Sequence, residues 1–206
     1  MRGVVRTVLF AILALAGLAG VFAYTVARRG LSTRVQPAWI EERAALALRR
    51  LATPASVRDR RNPVPAAPAV FEDGLTHFAD HCASCHGNDG SGTDLGKSFY
   101  PPVPDMRAAR TQSLTDGELF SIIENGIRLT GMPAWGNGTS EGEASSWALV
   151  HFIRRLPALS PDDVARMREL NPKSAAEFRE EEEARRFLAG DEPAPTPAPA
   201  RRQGHH

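Results

Sequence analysis

Apolar residues are most concentrated near the start of the chain, where the 21 residues from Thr7 to Ala27 carry no formal charge. As an α-helix this segment would be about 31 Å long, which matches a bilayer hydrocarbon core of about 30 Å. The segment therefore predicts a transmembrane helix over 7–27. A cleaved signal peptide is the alternative, although the segment exceeds the apolar region of about 7–15 residues that is typical of signal peptides.

Residues 28–69 predict a basic amphipathic helix followed by a Pro-rich linker. Within 37–52, one helical stripe is apolar and the other face carries Glu and Arg; the stripe consists of Ile40, Ala44, Leu48 and Leu51. This helix either packs on the domain that follows or lies on a membrane surface, with Trp39 and the Arg residues at headgroup level. Four Pro residues within 53–69 predict an extended, semi-stiff spacer that lifts the next domain away from the bilayer.

Residues 70–157 have the pattern of a small all-α domain. Apolar residues recur at helical spacing over about 71–83, 114–126 and 141–156, and the connecting segments are rich in Gly and Pro. Thr115 and Glu118 fit a capping box at the start of the second helix. Alternating apolar and polar residues, the pattern of strands, do not form a convincing run here.

The remaining chain predicts a charged helical extension over 158–190 and a disordered Pro/Ala-rich tail over 191–206. Ser160-Pro161-Asp162-Asp163 has the composition of a helix start, and a helix of about ten residues is expected to Leu170. A second, highly charged helix is expected over about 173–189, with Gly190 as its stop.

The charge is distributed unevenly, although the net formal charge is only +1. Residues 28–61 contain nine Arg against three acidic residues, whereas residues 69–158 contain six basic against eleven acidic residues. Because the basic stretch adjoins the apolar segment, an anionic lipid surface is a more natural neighbour for it than a nucleic acid.

The chemistry-bearing motif is Cys82-Ala83-Ser84-Cys85-His86, the attachment pattern of a c-type haem. Two intervening residues on a helical turn set the two thiols at the separation of the haem vinyl groups, and the adjacent His supplies an imidazole to the iron. A redox-active dithiol would favour a strand–helix alternation that is missing here, and a zinc site would need further ligands, for which only His77 and His81 are near.

Gly131-Met132-Pro133 offers a thioether as the second axial ligand, because Gly and Pro suit a tight loop that brings the sulfur to the iron. Met106 is the competitor, with packing as its alternative role. Arg128 and Lys97 are candidates to pair with haem propionates, or are solvated surface charges. Trp135 either walls the haem or packs within its own loop.

With these motifs in place, residues 70–157 resemble the small monohaem, Met/His-ligated cytochrome c family, and in particular its membrane-tethered bacterial members. Gly74 and Phe78 match the family positions at which the first and last helices cross, and Leu149 and Phe152 match their partners on the last helix. Pro104 resembles the family Pro whose carbonyl accepts a hydrogen bond from the axial His.

The resemblance implies one covalent haem c at Cys82 and Cys85, axial ligation by His86 and Met132, and three main helices around the haem. It implies a haem domain on the outer, periplasmic side of the bacterial cytoplasmic membrane, and therefore a cytoplasmic N-terminus over 1–6. The expected role is electron transfer between redox proteins, alone or as the cytochrome subunit of a larger complex. No enzyme activity, nucleic acid or small-molecule substrate is expected. A gas sensor or a peroxidase-like enzyme, with a displaceable Met ligand, is the alternative.

Overall fold

The computed structural model describes residues 2–30, 32–173 and 175–189, and within these ranges all regular secondary structure is helical, without a strand. This confirms the predicted all-α class. The α-helices are α1 (Arg2–Arg29), α2 (Trp39–Ala52), α3 (Ala55–Arg58), α4 (Pro68–His77), α5 (Ala83–His86), α6 (Asp94–Lys97), α7 (Ala109–Gln112), α8 (Asp116–Asn125), α9 (Ser140–Arg155), α10 (Pro161–Leu170) and α11 (Ala175–Ala189). A π-helical turn (Phe78–Cys82) joins α4 to α5, and a 3₁₀ turn (Leu156–Ala158) follows α9.

The chain divides into two compact units, Met1–Leu170 and Asn171–His206. Of the second unit the structure describes mainly α11, where Arg186 and Glu182 form an ion pair of 2.6 Å and Phe187 and Leu188 are exposed. The predicted tail over 191–206 lies outside the described residues.

The first helix, α1, is long and apolar enough over Arg2–Arg28 to cross a membrane. That conclusion rests on length and composition alone, and an N-terminal signal sequence meets the same test. The finding is therefore compatible with both alternatives raised by the sequence.

The core forms where α4 crosses α9. Gly74 lies against the backbone of α9, because a Cβ at this position would be 2.5 Å from the carbonyl oxygen of Ala148 and 2.9 Å from Cβ of Phe152. The close approach lets Phe78 and Phe152 meet with ring centroids 4.9 Å apart, and both side chains are almost fully buried. Gly74 and Phe152, which the family resemblance placed at the crossing of the first and last helices, are thus in contact.

Helix α8 completes the core by packing on α9. The rings of Phe120 and Trp147 stack at a centroid distance of 4.1 Å. Thr115 and Glu118 form the predicted capping box at the start of α8. Arg154 of α9 binds Asp116 at 2.7 Å and donates hydrogen bonds to two carbonyl oxygens in the α7–α8 connection, so that this connection is fixed to α9.

The segment before α4 is not the free extended spacer that its Pro content predicted. Gly117 of α8 allows close approach of the carbonyl of Val57 in α3. The Arg60 guanidinium lies 4.5 Å from the centroid of the Phe120 ring, and the Asn62 amide donates to the carbonyl of Trp147 at 2.9 Å. This segment therefore packs along α8 and α9, because its polar side chains find specific partners there.

Helix α10 also belongs to the core, although its charge placed it outside the predicted domain. Met167 is fully buried in the same cluster as Phe78 and Phe152, so this helix packs on the domain and is not an extension outside it. Arg166 binds Glu72 of α4 at 2.9 Å on the surface above it. The packed core therefore extends beyond the predicted domain of residues 70–157.

The α4–α9 crossing gives the first prediction. Gly74→Ala places a methyl group against the α9 backbone, which must move, so the free energy of unfolding should fall by roughly 1–3 kcal/mol or more. Asp73→Ala, on the exposed side of the same helix, is the control and should change it by less than about 0.5 kcal/mol. Denaturant titration measures both; equal effects of the two variants would contradict the close crossing.

Candidate haem site

The two cysteines and His86 lie on a continuation of α4. The helix widens into the π-helical turn Phe78–Cys82 and then resumes as α5, which contains Cys85 and His86. Within this turn Phe78 and Ala79 are buried, so the turn is anchored to the core. Such π-helical insertions occur frequently at functional sites. The core crossing therefore fixes the position of the whole motif.

The two cysteines are not joined by a disulfide, and Cys82 is packed against the hydrophobic core. Burial and the neighbouring Cys85 raise the pKa of the Cys82 thiol to about 12. At neutral pH this thiol is protonated, whereas a redox-active dithiol needs a lowered pKa on its attacking sulfur. The environment therefore disfavours the dithiol alternative.

His86 is held in a largely apolar setting. Its Nδ1 atom is buried and has no hydrogen-bond partner among the described residues, and burial lowers the pKa of its imidazole. The ring of Phe78 lies 6.5 Å away, centroid to centroid. The hydrogen bond expected between His86 and the carbonyl of Pro104 is not formed in this structure, where Pro104 is exposed; a role for Pro104 beside the haem stays a prediction.

The loop that follows the motif closes over the end of α5. The Thr93 hydroxyl donates to the carbonyl of Ser84 at 2.8 Å, the Thr93 N–H donates to that of Cys85 at 3.0 Å, and the Gly92 N–H donates to that of His86 at 2.7 Å. Gly96 then lies directly against the Cys85 carbonyl, an approach that a Cβ would block. Three successive carbonyls of the motif are therefore fixed from outside the helix.

Met132 is half-buried, and hydrogen bonds within its own loop hold its backbone. The Ile127 N–H donates to the Met132 carbonyl at 3.1 Å, and the Met132 N–H donates to the Thr130 hydroxyl at 3.1 Å. Gly131 packs against the ring of Phe99, because a Cβ there would be 2.8 Å from its Cδ2. These contacts fix the backbone from which the Met132 side chain extends.

Met106, the competing thioether, occupies a different environment. It is buried in the hydrophobic core cluster, its N–H donates to the Gly90 carbonyl at 2.9 Å, and its carbonyl accepts from the Gln112 amide at 2.8 Å. This placement agrees with the packing role considered from the sequence, and axial ligation by Met132 stays a prediction.

One contact joins the methionine loop to the cysteine motif. The ring of Trp135, three residues after Met132, lies edge-on to the ring of His81, with centroids 5.3 Å apart. His81 directly precedes Cys82. Arg128, by contrast, is exposed, as is Lys97, so neither side chain is held in place by burial. Trp135 thus contacts the residue that precedes the motif. Its role beside the haem, like the roles of Arg128 and Lys97, stays a prediction.

The described residues fit a covalently attached haem better than a metal ion alone. Groups of three or more His, Cys, Asp or Glu side chains that would hold a metal are absent from the part of the chain that the structure describes. An unpartnered buried imidazole nitrogen, two thiols on one helical turn and a thioether on a supported loop are the donor types of a c-type haem.

Several residues that shape this site could not be recognised from the sequence. Thr93, Gly96, Phe99 and Thr130 hold the two loops, yet none of them stands out by type. The one available signal was Thr93 before Asp94, the composition of a helix N-cap; the Thr93 hydroxyl indeed accepts from the Gly96 N–H at 3.1 Å.

Comparison with protein families agrees with this geometry. Residues 69–153 match the family model described as cytochrome c oxidase, cbb3-type, subunit III. Comparison with curated proteins gives no significant match. The matched range contains Cys82, Cys85, His86 and Met132, and it begins and ends within the two helices that cross at Gly74. The match over residues 69–153 therefore supports a c-type cytochrome domain, a haem-containing electron-transfer domain, in this part of the chain.

Proposed function

We propose that this protein is a membrane-anchored monohaem cytochrome c that passes single electrons between redox proteins. Its haem is attached at Cys82 and Cys85, with His86 and Met132 as the axial ligands. The observation that carries this proposal is the contact between Trp135 and His81, which brings the methionine loop to the cysteine motif within the matched domain. With a single pair of cysteines in the sequence, the chain holds one such haem.

Different residues of the chain attach the haem and ligate its iron. The thiols of Cys82 and Cys85 attach it to the helical turn, and the buried ring of His86 presents a neutral imidazole, since burial lowers its pKa. The Met132 thioether favours the ferrous state and raises the potential. When bound, the haem supplies an iron that alternates between ferric and ferrous states. The buried rings of Phe78 and Phe152 exclude water beneath the motif.

An electron carrier fits this site better than a sensor or a peroxidase. Either alternative needs Met132 to leave the iron so that a gas or peroxide can bind there. The methionine loop resists this displacement, because hydrogen bonds from Ile127 and to Thr130 fasten the backbone of Met132 on both sides. A ligand that stays on the iron lowers the reorganisation energy of electron transfer. The hydrogen-bonded methionine loop therefore supports the carrier role.

Helix α1 is the proposed anchor, and the haem domain lies on the outer, periplasmic side of the bacterial cytoplasmic membrane. This side follows from the place at which the family receives its haem, and it leaves residues 1–6 in the cytoplasm. A tethered cytochrome meets membrane partners at raised effective concentration.

The partners are proposed to be a quinol-oxidising donor and a terminal oxidase or similar acceptor, either as separate complexes or as the assembly in which this chain is a subunit. The matched family is named for an oxidase subunit. Eleven acidic against six basic residues over 69–158 favour basic docking surfaces on these partners, with encounter rates that fall as salt is added.

The axial assignment predicts different outcomes for two matched substitutions. Met132→Leu removes the thioether, so the weak long-wavelength band of Met-ligated ferric haem should disappear and the reduction potential should fall. Carbon monoxide, which should bind the reduced wild-type protein little, should bind this variant completely. Met106→Leu keeps volume in the core and should retain the band and the low carbon monoxide binding.

Absorption spectra with and without carbon monoxide, together with a redox titration, measure these properties. Retention of the band in Met132→Leu, or its loss in Met106→Leu, would contradict the assignment. Rapid and complete carbon monoxide binding to the wild-type protein would favour the sensor or enzyme instead.

Leu129 is proposed as an apolar contact to a redox partner. It is 91% exposed, and its backbone has a φ of 62°, a left-handed conformation that costs a non-Gly residue roughly 1–2 kcal/mol. A leucine in this conformation contributes almost no burial, yet it lies three residues before Met132. Strain of this kind at a site motivates a functional hypothesis.

The substitution Leu129→Asn separates folding from docking. Because Asn tolerates the left-handed conformation, the free energy of unfolding should rise by about 1 kcal/mol, while the reduction potential stays unchanged and oxidation by native membranes slows. Leu95→Asn, at an exposed Leu (55%) on α6, is the control and should bring no gain in stability. Unchanged oxidation by membranes would exclude Leu129 as a partner contact.

A further inference from the structure

Helix α2 has two different faces, and only one of them meets the haem domain. Glu42, Leu46 and Arg49 lie on the half-buried face. Glu42 pairs with Arg110, and Glu41 beside it accepts a hydrogen bond from the Tyr100 hydroxyl at 2.6 Å. Burial lowers the pKa of Arg49, which also interacts with Glu118 of α8. The side of α2 that docks on the domain is therefore mainly polar, with Leu46 as its apolar residue.

The apolar stripe predicted from the sequence lies on the other side, about 180° around the helix from the docked face. Its four residues, Ile40, Ala44, Leu48 and Leu51, are all exposed, and the exposed Ala47 lies among them. Leu51 is 83% exposed, Leu48 66% and Ile40 62%. Single exposed leucines need no explanation, but a continuous apolar helix face without a polar residue marks an interaction surface.

The surroundings of this face indicate what covers it. Trp39 is 74% exposed at the start of the helix, and Arg43 and Arg50 border the stripe without an ion pair to any described residue. Residues 28–61 carry nine Arg against three acidic residues. An aromatic ring and arginines beside an apolar stripe are the composition of a helix that lies in an anionic bilayer interface.

The position of α2 in the chain also indicates that a membrane surface covers the apolar stripe. Nine residues separate the end of α1 at Arg29 from Trp39, and such a connection spans at most about 35 Å when fully extended. Helix α2 is therefore confined to the neighbourhood of the bilayer surface wherever α1 crosses it. This step rests on the proposed anchoring by α1.

We propose that α2 lies in the headgroup layer of an anionic membrane, with its Ile40–Leu51 stripe toward the acyl chains and the haem domain docked on its polar face. The haem domain then sits directly on the membrane surface, and its side with Tyr100 and Arg110 is turned toward the bilayer. A membrane-embedded complex, rather than a freely diffusing carrier, is the class of partner that this orientation favours.

Two neighbouring alanines provide a matched test. Ala44 lies on the apolar stripe and Ala45 lies off it, and both are exposed. Ala44→Cys and Ala45→Cys are made separately in the full-length, haem-loaded protein and labelled with an environment-sensitive fluorophore. Each protein is reconstituted in vesicles of an equal mixture of phosphatidylcholine and phosphatidylglycerol, and quenching by spin-labelled lipid is compared with quenching by aqueous iodide.

The label at position 44 should be quenched several-fold more by the lipid than by iodide, and the label at position 45 should show the reverse. Equal iodide quenching at both positions would overturn the proposal. Protection at position 44 from both quenchers would also overturn it, since it would show that a protein surface, such as a second copy of the chain, covers the stripe.

Two controls separate this inference from the proposed function. A label at Leu13→Cys in α1 that is quenched by lipid, alongside an iodide-quenched label at position 44, contradicts the placement of α2 and leaves the anchor intact. Intact mass with one fluorophore and one haem shows that Cys82 and Cys85 are occupied, because free thiols at these positions would take up additional label.

Discussion

The close crossing of α4 and α9 at Gly74 determines where every later part of the site lies. Since α4 continues through the π-helical turn into α5, fixing α4 against α9 also fixes Cys82, Cys85 and His86. The contact between Phe78 and Phe152 holds the turn on the core, and Met167 of α10 fills the same cluster. The cysteine motif is thereby built onto a close, buried helix crossing of the domain.

Two loops then complete the site from either side. The loop after the motif binds three carbonyls at the end of α5, and the loop after α8 supports Met132 through Ile127, Thr130 and Phe99. Both loops rely on glycines that allow backbone or ring contacts closer than a Cβ permits. The chemistry of the site comes from few residue types, but their placement depends on these close approaches.

The local features could be predicted from the sequence because they follow from spacing and residue type. The cysteine motif, the capping box at Thr115 and Glu118, and the start of α10 at Ser160-Pro161-Asp162-Asp163 are of this kind. The Arg60 and Asn62 contacts on α8 and α9, and the burial of Met167, depend on residues far apart in the chain. A Pro-rich segment and a charged helix therefore look independent of the domain until the partners of their few anchoring side chains are known.

Intact-protein mass spectrometry tests most directly the proposed covalent binding of one haem at Cys82 and Cys85. In cells that contain cytochrome maturation machinery, the wild-type protein should have the mass of its polypeptide plus one haem, and the double variant Cys82→Ala, Cys85→Ala should have the polypeptide mass alone. A wild-type protein at the bare polypeptide mass, or a double variant that still carries haem, would contradict the account.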